Sequence, residues 1–125
     1  MKLLLDTHVF VWWTLADSRI RESWVEAIVD PVNTVYVSAA TAWEIETKKR
    51  LGKLRFSYTV DELVPQFGFS PLSITVAHAT RSGLLEWEHK DPFDRMLVAQ
   101  STSEGLAMVT ADEAVVTAPG IRVLP

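Results

Sequence analysis

Residues 2–15, KLLLDTHVFVWWTL, decide how the fold of this chain is interpreted. Lys2 to Asp6 is a short apolar run of the kind that forms a buried strand. It passes directly into a helix-like apolar cluster between His8 and Leu15. The stretch therefore predicts a strand that feeds a helix.

Similar alternations of strand and helix follow along the chain. Ser18 is a plausible N-cap for a helix through Asp30, where Pro31 stops it. Ser38 caps the clearest helix, which runs to Leu51 with Gly52 just past its end. The remaining predicted elements are strand Thr34–Val37, helix Thr59–Phe67, strand Leu72–Ile74, helix Thr75–Leu85, helix Asp91–Ser103, strand Leu106–Thr110, helix Ala111–Val116 and strand Ile121–Leu124.

Strands that alternate with helices predict an α/β fold, in which a parallel sheet is covered on both faces. We expect a three-layer α/β/α sandwich around a central parallel sheet of four to five strands. The length of 125 residues is typical of one domain, so residues 1–125 are expected to share one core. The 48% hydrophobic and 22% charged residues are ordinary for a globular protein.

The chain contains no cysteine, which excludes disulfides, thiolate metal sites and thiol nucleophiles. This composition suits a reducing compartment, and the cytoplasm is the expected location. The first apolar run ends at Asp6 after three leucines, so it predicts neither a signal peptide nor a membrane span. The net charge of −4 argues at first sight against a nucleic-acid partner.

Four carboxylates are predicted to lie near one edge of the sheet. Asp6 directly follows the first strand, and Asp112 lies two residues after the strand that ends near Thr110. Ligands of open α/β sheets bind outside the carboxyl ends of the strands, where the strand order reverses. Glu44 and Asp94 lie in early turns of helices that begin on the same side.

Four converging carboxylates repel one another unless a cation is present. Mg²⁺ prefers oxygen ligands and is often held by carboxylates together with substrate phosphate oxygens. The four side chains also account numerically for the net charge of −4. The pattern therefore predicts a Mg²⁺ site suited to phosphodiester hydrolysis.

Each carboxylate also has a purely structural interpretation. Asp6 and Asp112 are placed to cap the helices that follow them. Asp94 stands at the capping-box spacing from Asp91, and Glu44 is four residues before Lys48, which suits an ion pair within the helix. The joint placement of all four favours the metal site.

Four segments of the sequence carry a family resemblance: LLLDTHVFVWW, VSAATAWEIETKKRLGKL, HKDPFDRMLVAQ and LAMVTADEAV. Through these segments the sequence resembles the PIN-domain family, and specifically the VapC ribonuclease toxins of prokaryotic toxin-antitoxin pairs. The resemblance covers nearly the whole chain except 56–87, and HKDPFDRMLVAQ is its most specific segment.

The resemblance implies a metal-dependent endoribonuclease that uses Mg²⁺, or Mn²⁺ in its place. The family's acidic site maps onto Asp6, Glu44, Asp94 and Asp112, and Asp91 is assigned as a helix cap near the site. The expected mechanism is hydrolysis of RNA by a metal-activated water, with Asp6 and Asp94 holding the metal most directly. A homodimer and an antitoxin that occupies the cleft are also implied.

Other polar and aromatic residues have two interpretations. Ser38 and Thr110 are close enough to contact a carboxylate, although capping or a satisfied strand-end hydroxyl is the alternative. The basic residues between Lys48 and Arg55 suit either an RNA backbone or the helix dipole. The five tryptophans favour core packing or a partner surface. The three histidines lack a paired metal-binding spacing, so none is assigned to the site.

Two rival classes remain open. A phosphatase resembling the haloacid dehalogenases needs a second Asp two positions after the first, where this chain has His8. A receiver-like domain needs a Lys after a late strand, and no Lys follows Lys90. A non-catalytic or housekeeping PIN-like module that binds or processes RNA is the other alternative.

Overall fold

The computed structural model describes all 125 residues. Its four strands are β1 (Lys2–Leu5), β2 (Thr34–Ser38), β3 (Ser70–Leu72) and β4 (Ala107–Val109). Its seven helices are α1 (Thr7–Leu15), α2 (Glu22–Val29), α3 (Ala39–Arg50), α4 (Val60–Gln66), α5 (Val76–Leu84), α6 (Pro92–Glu104) and α7 (Glu113–Val116). None of these helices combines the length and apolar character that crossing a membrane requires.

The strands form one parallel sheet in the order β3-β2-β1-β4. In the centre, Leu3 of β1 is paired with Val35 of β2 on one side and Ala107 of β4 on the other. The chain adds β2 and β3 on one side of β1 and then returns to add β4 on the opposite side. The strand order therefore reverses between β1 and β4, where an open α/β sheet offers its ligand crevice.

The sheet is covered on both faces, as the sequence predicts. Leu3 and Leu5 belong to a core of 17 buried residues that includes side chains of α1, α2 and α4. Leu4 points to the other face and belongs to a core of 8 buried residues with side chains of α6 and α7. This alternation along β1 separates three layers and confirms the α/β/α sandwich.

The predicted helix boundaries at α3 and α6 are confirmed. Ser38 caps α3 by accepting a hydrogen bond from the backbone of Ala40. Asp91 caps α6, whose first residue is Pro92. Gly105 ends α6 in the left-handed conformation, with a φ of 67°. The caps at Ser38 and Asp91 fix the starts of the helices that carry Glu44 and Asp94.

The predicted start of α2 at Ser18 is wrong by several residues, because the N-cap is Arg21. The carboxylate of Asp17 accepts hydrogen bonds from the backbone and side chain of Arg19. The backbone N–H of Ile20 donates a hydrogen bond to the carbonyl of Asp17. This local turn satisfies the backbone groups that a helix beginning at Ser18 would have used.

The two outer strands also differ from the prediction. β3 is Ser70–Leu72 and lies two residues earlier than the predicted strand Leu72–Ile74. Pro71 fits there because β3 is an edge strand, where a residue without an N–H is tolerated. The predicted strand Ile121–Leu124 is reduced to a single bridge between Val123 and Met108, so the sheet has four strands.

Candidate active site

The two aspartates that follow β1 and β4 lie at the reversal of strand order. Asp6 caps α1 through a hydrogen bond of 3.2 Å from the His8 N–H to its Oδ1. Asp112 caps α7 in the same way, accepting from the Ala114 N–H at 2.9 Å. Both residues therefore make the capping contacts predicted for them. Each of these contacts uses one oxygen of the carboxylate.

Thr110 links these two aspartates. Its hydroxyl donates to Oδ2 of Asp6 at 2.5 Å and accepts from the backbone N–H of Asp112 at 3.0 Å. Asp6 and Thr110 are 3% and 2% exposed, so the link is buried. The Thr110 hydroxyl therefore contacts a predicted site carboxylate, rather than only satisfying the end of its strand.

Glu44 reaches the crevice from α3, where it is 3% exposed. Its Oε2 pairs with the ammonium group of Lys48 one turn later, at 2.5 Å. Its Oε1 is buried and has no hydrogen-bond partner. Burial of an unpartnered carboxylate oxygen is costly, and such an atom marks a position for a cation or a proton donor.

Asp94 lies in the first turn of α6 and makes no simple capping contact. Asp91 caps the helix, accepting from the backbone of both Phe93 and Asp94. The Oδ2 of Asp94 lies 2.7 Å from Nε2 of His89 instead. The assignment of Asp91 as the cap is confirmed, and Asp94 is free to face the other carboxylates.

Burial and repulsion by neighbouring charges raise the pKa values of Asp6 and Asp94. Burial raises the pKa of Asp6, against the opposing effect of the Thr110 hydrogen bond. Burial also raises the pKa of Asp94 to about 6, although His89 opposes the shift, and the charges of Asp91, Asp6 and Glu44 add to it. These mutual charge effects show that the side chains share one region.

The positive charge of Lys48 lies within this acidic region. Burial lowers the pKa of its ammonium group, but the hydrogen bond and charge of Glu44, with the charges of Asp91 and Asp94, outweigh that effect and raise it. Lys48 therefore remains protonated and neutralises part of the acidic cluster. The remaining negative charge still lacks a counter-ion.

The donor set fits a hard divalent cation. Ligand atoms of Asp94 and Asp112 lie within 4.8 Å of each other, and the charges of Asp6 and Glu44 act on Asp94. The Oε1 of Glu44 is unpartnered. A cleft of about 300 Å³ opens beside Asp6 and Asp112, with Trp12 and Arg19 among its lining residues. Mg²⁺ prefers such oxygen ligands and retains waters that a cleft of this size has room for.

His89, which the sequence analysis did not assign to the site, lies beside two of these carboxylates. One ligand atom each from His89, Asp94 and Asp112 lies within 4.8 Å of the others. The available signal was the position of His89 five residues before Asp94 in the segment HKDPFDR. His78, in contrast, is 2% exposed and takes part in the capping box of α5.

The basic and aromatic residues divide between structure and surface. Lys48 and Lys49 form ion pairs with glutamates of α3, whereas Arg50, Lys53 and Arg55 are exposed.

Trp24 is fully buried in the core. Trp43 is 53% exposed, and its ring packs edge-on against Phe93 at 4.7 Å. Trp43 and Phe93 directly precede Glu44 and Asp94 in sequence, so this pair lies beside the acidic cluster.

Comparison with known proteins identifies the family. The profile of the PIN domain matches residues 3–119, and the chain therefore belongs to the PIN-domain family. No curated protein matches the sequence at a significant level.

Solved structures with the same fold come from toxin-antitoxin complexes. A chain of VapBC2 from Rickettsia felis, bound to a promoter DNA fragment, is 14% identical with a TM-score of 0.71, covering 99% of this chain and 98% of its own. A chain of DNA-bound VapBC from Salmonella typhimurium is 21% identical with a TM-score of 0.71, covering 99% and 97%. A chain of FitAcB from Neisseria gonorrhoeae is 20% identical with a TM-score of 0.66, covering 98% and 96%. At these identities the similarity concerns the fold.

Proposed function

We propose that this protein is a Mg²⁺-dependent endoribonuclease and the toxin component of a type II toxin-antitoxin system. The observation that carries the proposal is the proximity of the carboxylates. Asp94 lies near Asp112 and is influenced by the charges of Asp6 and Glu44, while the buried Oε1 of Glu44 lacks a partner. A structural role in capping does not require this proximity. Membership of the PIN-domain family supports the same conclusion.

Each carboxylate has a defined part in this proposal. Asp6 and Asp94 hold the ion most directly, while Glu44 and Asp112 complete the site through direct or water-mediated contacts. When bound, Mg²⁺ or Mn²⁺ would stabilise charge on the scissile phosphate and lower the pKa of an attacking water. Thr110 keeps Asp6 oriented through its hydroxyl hydrogen bond.

RNA would approach over the exit of α3. Arg50, Lys53 and Arg55 are exposed there and suit contacts with phosphate groups. The half-exposed ring of Trp43 offers a surface on which an unpaired base can stack, as aromatic side chains commonly do for single-stranded RNA. The overall net charge of −4 does not oppose this, because the four proposed metal ligands account for it numerically.

The proposed partners are a cognate antitoxin and a second copy of this chain. The VapBC and FitAcB structures, together with a toxin-antitoxin complex from Klebsiella pneumoniae, support an antitoxin partner for a chain of this fold. The antitoxin would occupy the cleft and exclude RNA. The cysteine-free composition suits action in the cytoplasm.

The test is cleavage of labelled tRNA and of a structured RNA pool in the presence of Mg²⁺, Mn²⁺ or EDTA. Asp6→Asn and Asp94→Asn proteins, purified identically, control for contaminating nucleases. Cleavage that requires metal and is lost in both folded variants supports the proposal. Equal cleavage by parent and variants would identify a contaminant and remove the support. If the parent cuts no RNA and binds no Mn²⁺ by calorimetry, the chain is a non-catalytic module.

A further inference from the structure

His89 occupies a distinctive position beside the carboxylates. Its Nε2 is 2.7 Å from Oδ2 of Asp94, and a carboxylate oxygen of Asp112 lies within 4.8 Å of both. The side chain of His89 is 25% exposed and that of Asp94 is 13% exposed. An imidazole nitrogen thus faces the same crevice as the oxygen donors.

The imidazole is held in place before any ion binds. The ring of Trp87 stacks on it with centroids 4.6 Å apart and an interplanar angle of 26°. The guanidinium of Arg95 donates to the carbonyls of both Trp87 and His89, at 2.6 and 3.1 Å. It also donates to the carbonyls of Ser82 and Leu85. One side chain of α6 therefore fixes the loop that presents His89.

The spacing of these atoms suits direct coordination. Two ligand atoms at right angles around an ion, each about 2.1 Å from it, are about 3.0 Å apart. The separation of 2.7 Å between Nε2 of His89 and Oδ2 of Asp94 is close to this distance between ligand atoms. The ion would replace the proton of this hydrogen bond, and a neutral imidazole with its proton on Nδ1 then offers the lone pair of Nε2. Little movement is needed for both atoms to bind one ion.

A second observation points independently to a bound cation. Oε1 of Glu44 is buried and unpartnered, while Oε2 of the same carboxylate is held by Lys48. Hydrogen bonding within the cluster therefore leaves one oxygen unsatisfied. A cation that enters between Asp94 and His89 meets a region whose remaining charge is negative.

We infer that His89 is a nitrogen ligand of the divalent ion, together with Asp94 and Asp112. This deepens and rests on the proposed function, because it concerns the same metal site. Imidazole is a poor ligand for Mg²⁺ but suits first-row transition ions. The site consequently favours Mn²⁺ and heavier ions such as Co²⁺ over Mg²⁺.

Pulsed electron paramagnetic resonance of the Mn²⁺-loaded protein tests this directly. A coordinated imidazole produces ¹⁴N modulation of the Mn²⁺ echo, whereas an oxygen-only site does not. We expect this modulation in the parent, its loss in His89→Gln, and its retention in His8→Gln, the matched control. Labelling all histidines with ¹⁵N in the unmutated protein must replace the ¹⁴N pattern, and that measurement needs no variant.

Calorimetric titration gives an independent measure. We expect Mn²⁺ to bind at least about tenfold more tightly than Mg²⁺. We also expect His89→Gln to reduce the affinity for Mn²⁺ much more than the affinity for Mg²⁺. Mn²⁺ that binds the parent, is lost in Asp94→Asn and shows no ¹⁴N modulation overturns the inference while leaving the proposed nuclease site intact. Absence of any Mn²⁺ binding by the parent overturns both.

Discussion

The hydroxyl of Thr110 donates a hydrogen bond of 2.5 Å to Oδ2 of Asp6, joining two residues that are 104 positions apart. Both side chains are buried at the edge where β1 and β4 end. Because this bond lowers the pKa of Asp6 against the effect of burial, it favours the ionised carboxylate that a metal ion needs.

Thr110→Val is therefore expected to weaken Mn²⁺ binding by about tenfold, since outer hydrogen bonds to ligands contribute at this level. The substitution also removes the acceptor for the Asp112 N–H. Thr110→Ser keeps the hydroxyl and should bind Mn²⁺ nearly as the parent does. Calorimetry on the three proteins measures the difference, and equal affinities for Val and Ser would contradict a role for the hydroxyl.

Asp6→Asn is expected to stabilise the metal-free protein at pH 7 by about 1 kcal/mol, because it removes a buried charge at a functional site. The amide oxygen can keep the capping bond from the His8 N–H, and the NH₂ group that replaces Oδ2 can donate to the Thr110 hydroxyl. Urea unfolding in EDTA measures this gain, and added Mg²⁺ should stabilise the parent but not the variant. Asp17→Asn is the control. It should lower the free energy of unfolding, since Arg19 lowers the pKa of Asp17 to about 2 and stabilises its charged form. A destabilised Asp6→Asn protein would contradict the prediction.

The stability of the metal-free protein should fall as the pH rises from 4 to 7. The pKa of Asp94 is raised by burial from 3.8 to about 6, so the folded protein binds this proton more tightly than the unfolded chain. The resulting stabilisation is complete below the unfolded pKa and is lost as the pH passes through about 6. Urea unfolding at several pH values in EDTA should show a shallower decline for Asp94→Asn. Parallel curves for the two proteins would exclude this contribution.

Arg95→Lys should loosen residues 82–89, which comprise the end of α5 and the start of the loop that follows it. Lysine can satisfy only part of the set of carbonyls that the guanidinium holds, from Ser82 to His89. Faster amide hydrogen exchange is expected in this loop, with a loss of about 1–3 kcal/mol in the free energy of unfolding. Arg81→Lys changes an exposed arginine on α5 and serves as control. Unchanged exchange in the Arg95 variant would show that the loop is held by other contacts.

Lys53→Gln combined with Arg55→Gln should weaken RNA binding and lower its salt dependence. Each phosphate contact to single-stranded nucleic acid contributes about 0.7 to the slope of log K against log salt, so the slope should fall by about 1.4. Binding is measured in an Asp94→Asn background to prevent cleavage. Arg81→Gln combined with Arg122→Gln removes the same charge elsewhere, and an equal loss of slope in that control would indicate a general charge effect.

Much of the fold could be predicted because the deciding signals are local. The leucines of β1, the Ser38 and Asp91 caps and the glycine after α6 act within a few residues of themselves. β3 was misplaced because its boundaries depend on pairing with β2, which brings Pro71 opposite Val37. Edge register of this kind is set by a distant partner and leaves little trace in the strand's own residues.

The candidate site also divides into residues that local sequence signals predict and residues that depend on distant contacts. Asp6 and Asp112 were predictable because Asp6 directly follows β1 and Asp112 lies three residues after the end of β4. His89 lies in an irregular loop, and its position depends on Trp87 and on the hydrogen bonds of Arg95. Neither contact has a sequence periodicity, so spacing alone gave no reason to select this histidine.

The pairing of β4 with β1 also has a consequence for folding. Asp6 and Asp112 come together only when two strands from opposite parts of the chain have paired. Contacts with such large sequence separation carry a high entropic cost and form slowly. A partly folded chain that already contains α3 and α6 still lacks the complete set of carboxylates. Metal affinity should therefore report the pairing of β1 with β4 during folding, and chains in which this pairing has not formed should remain inert.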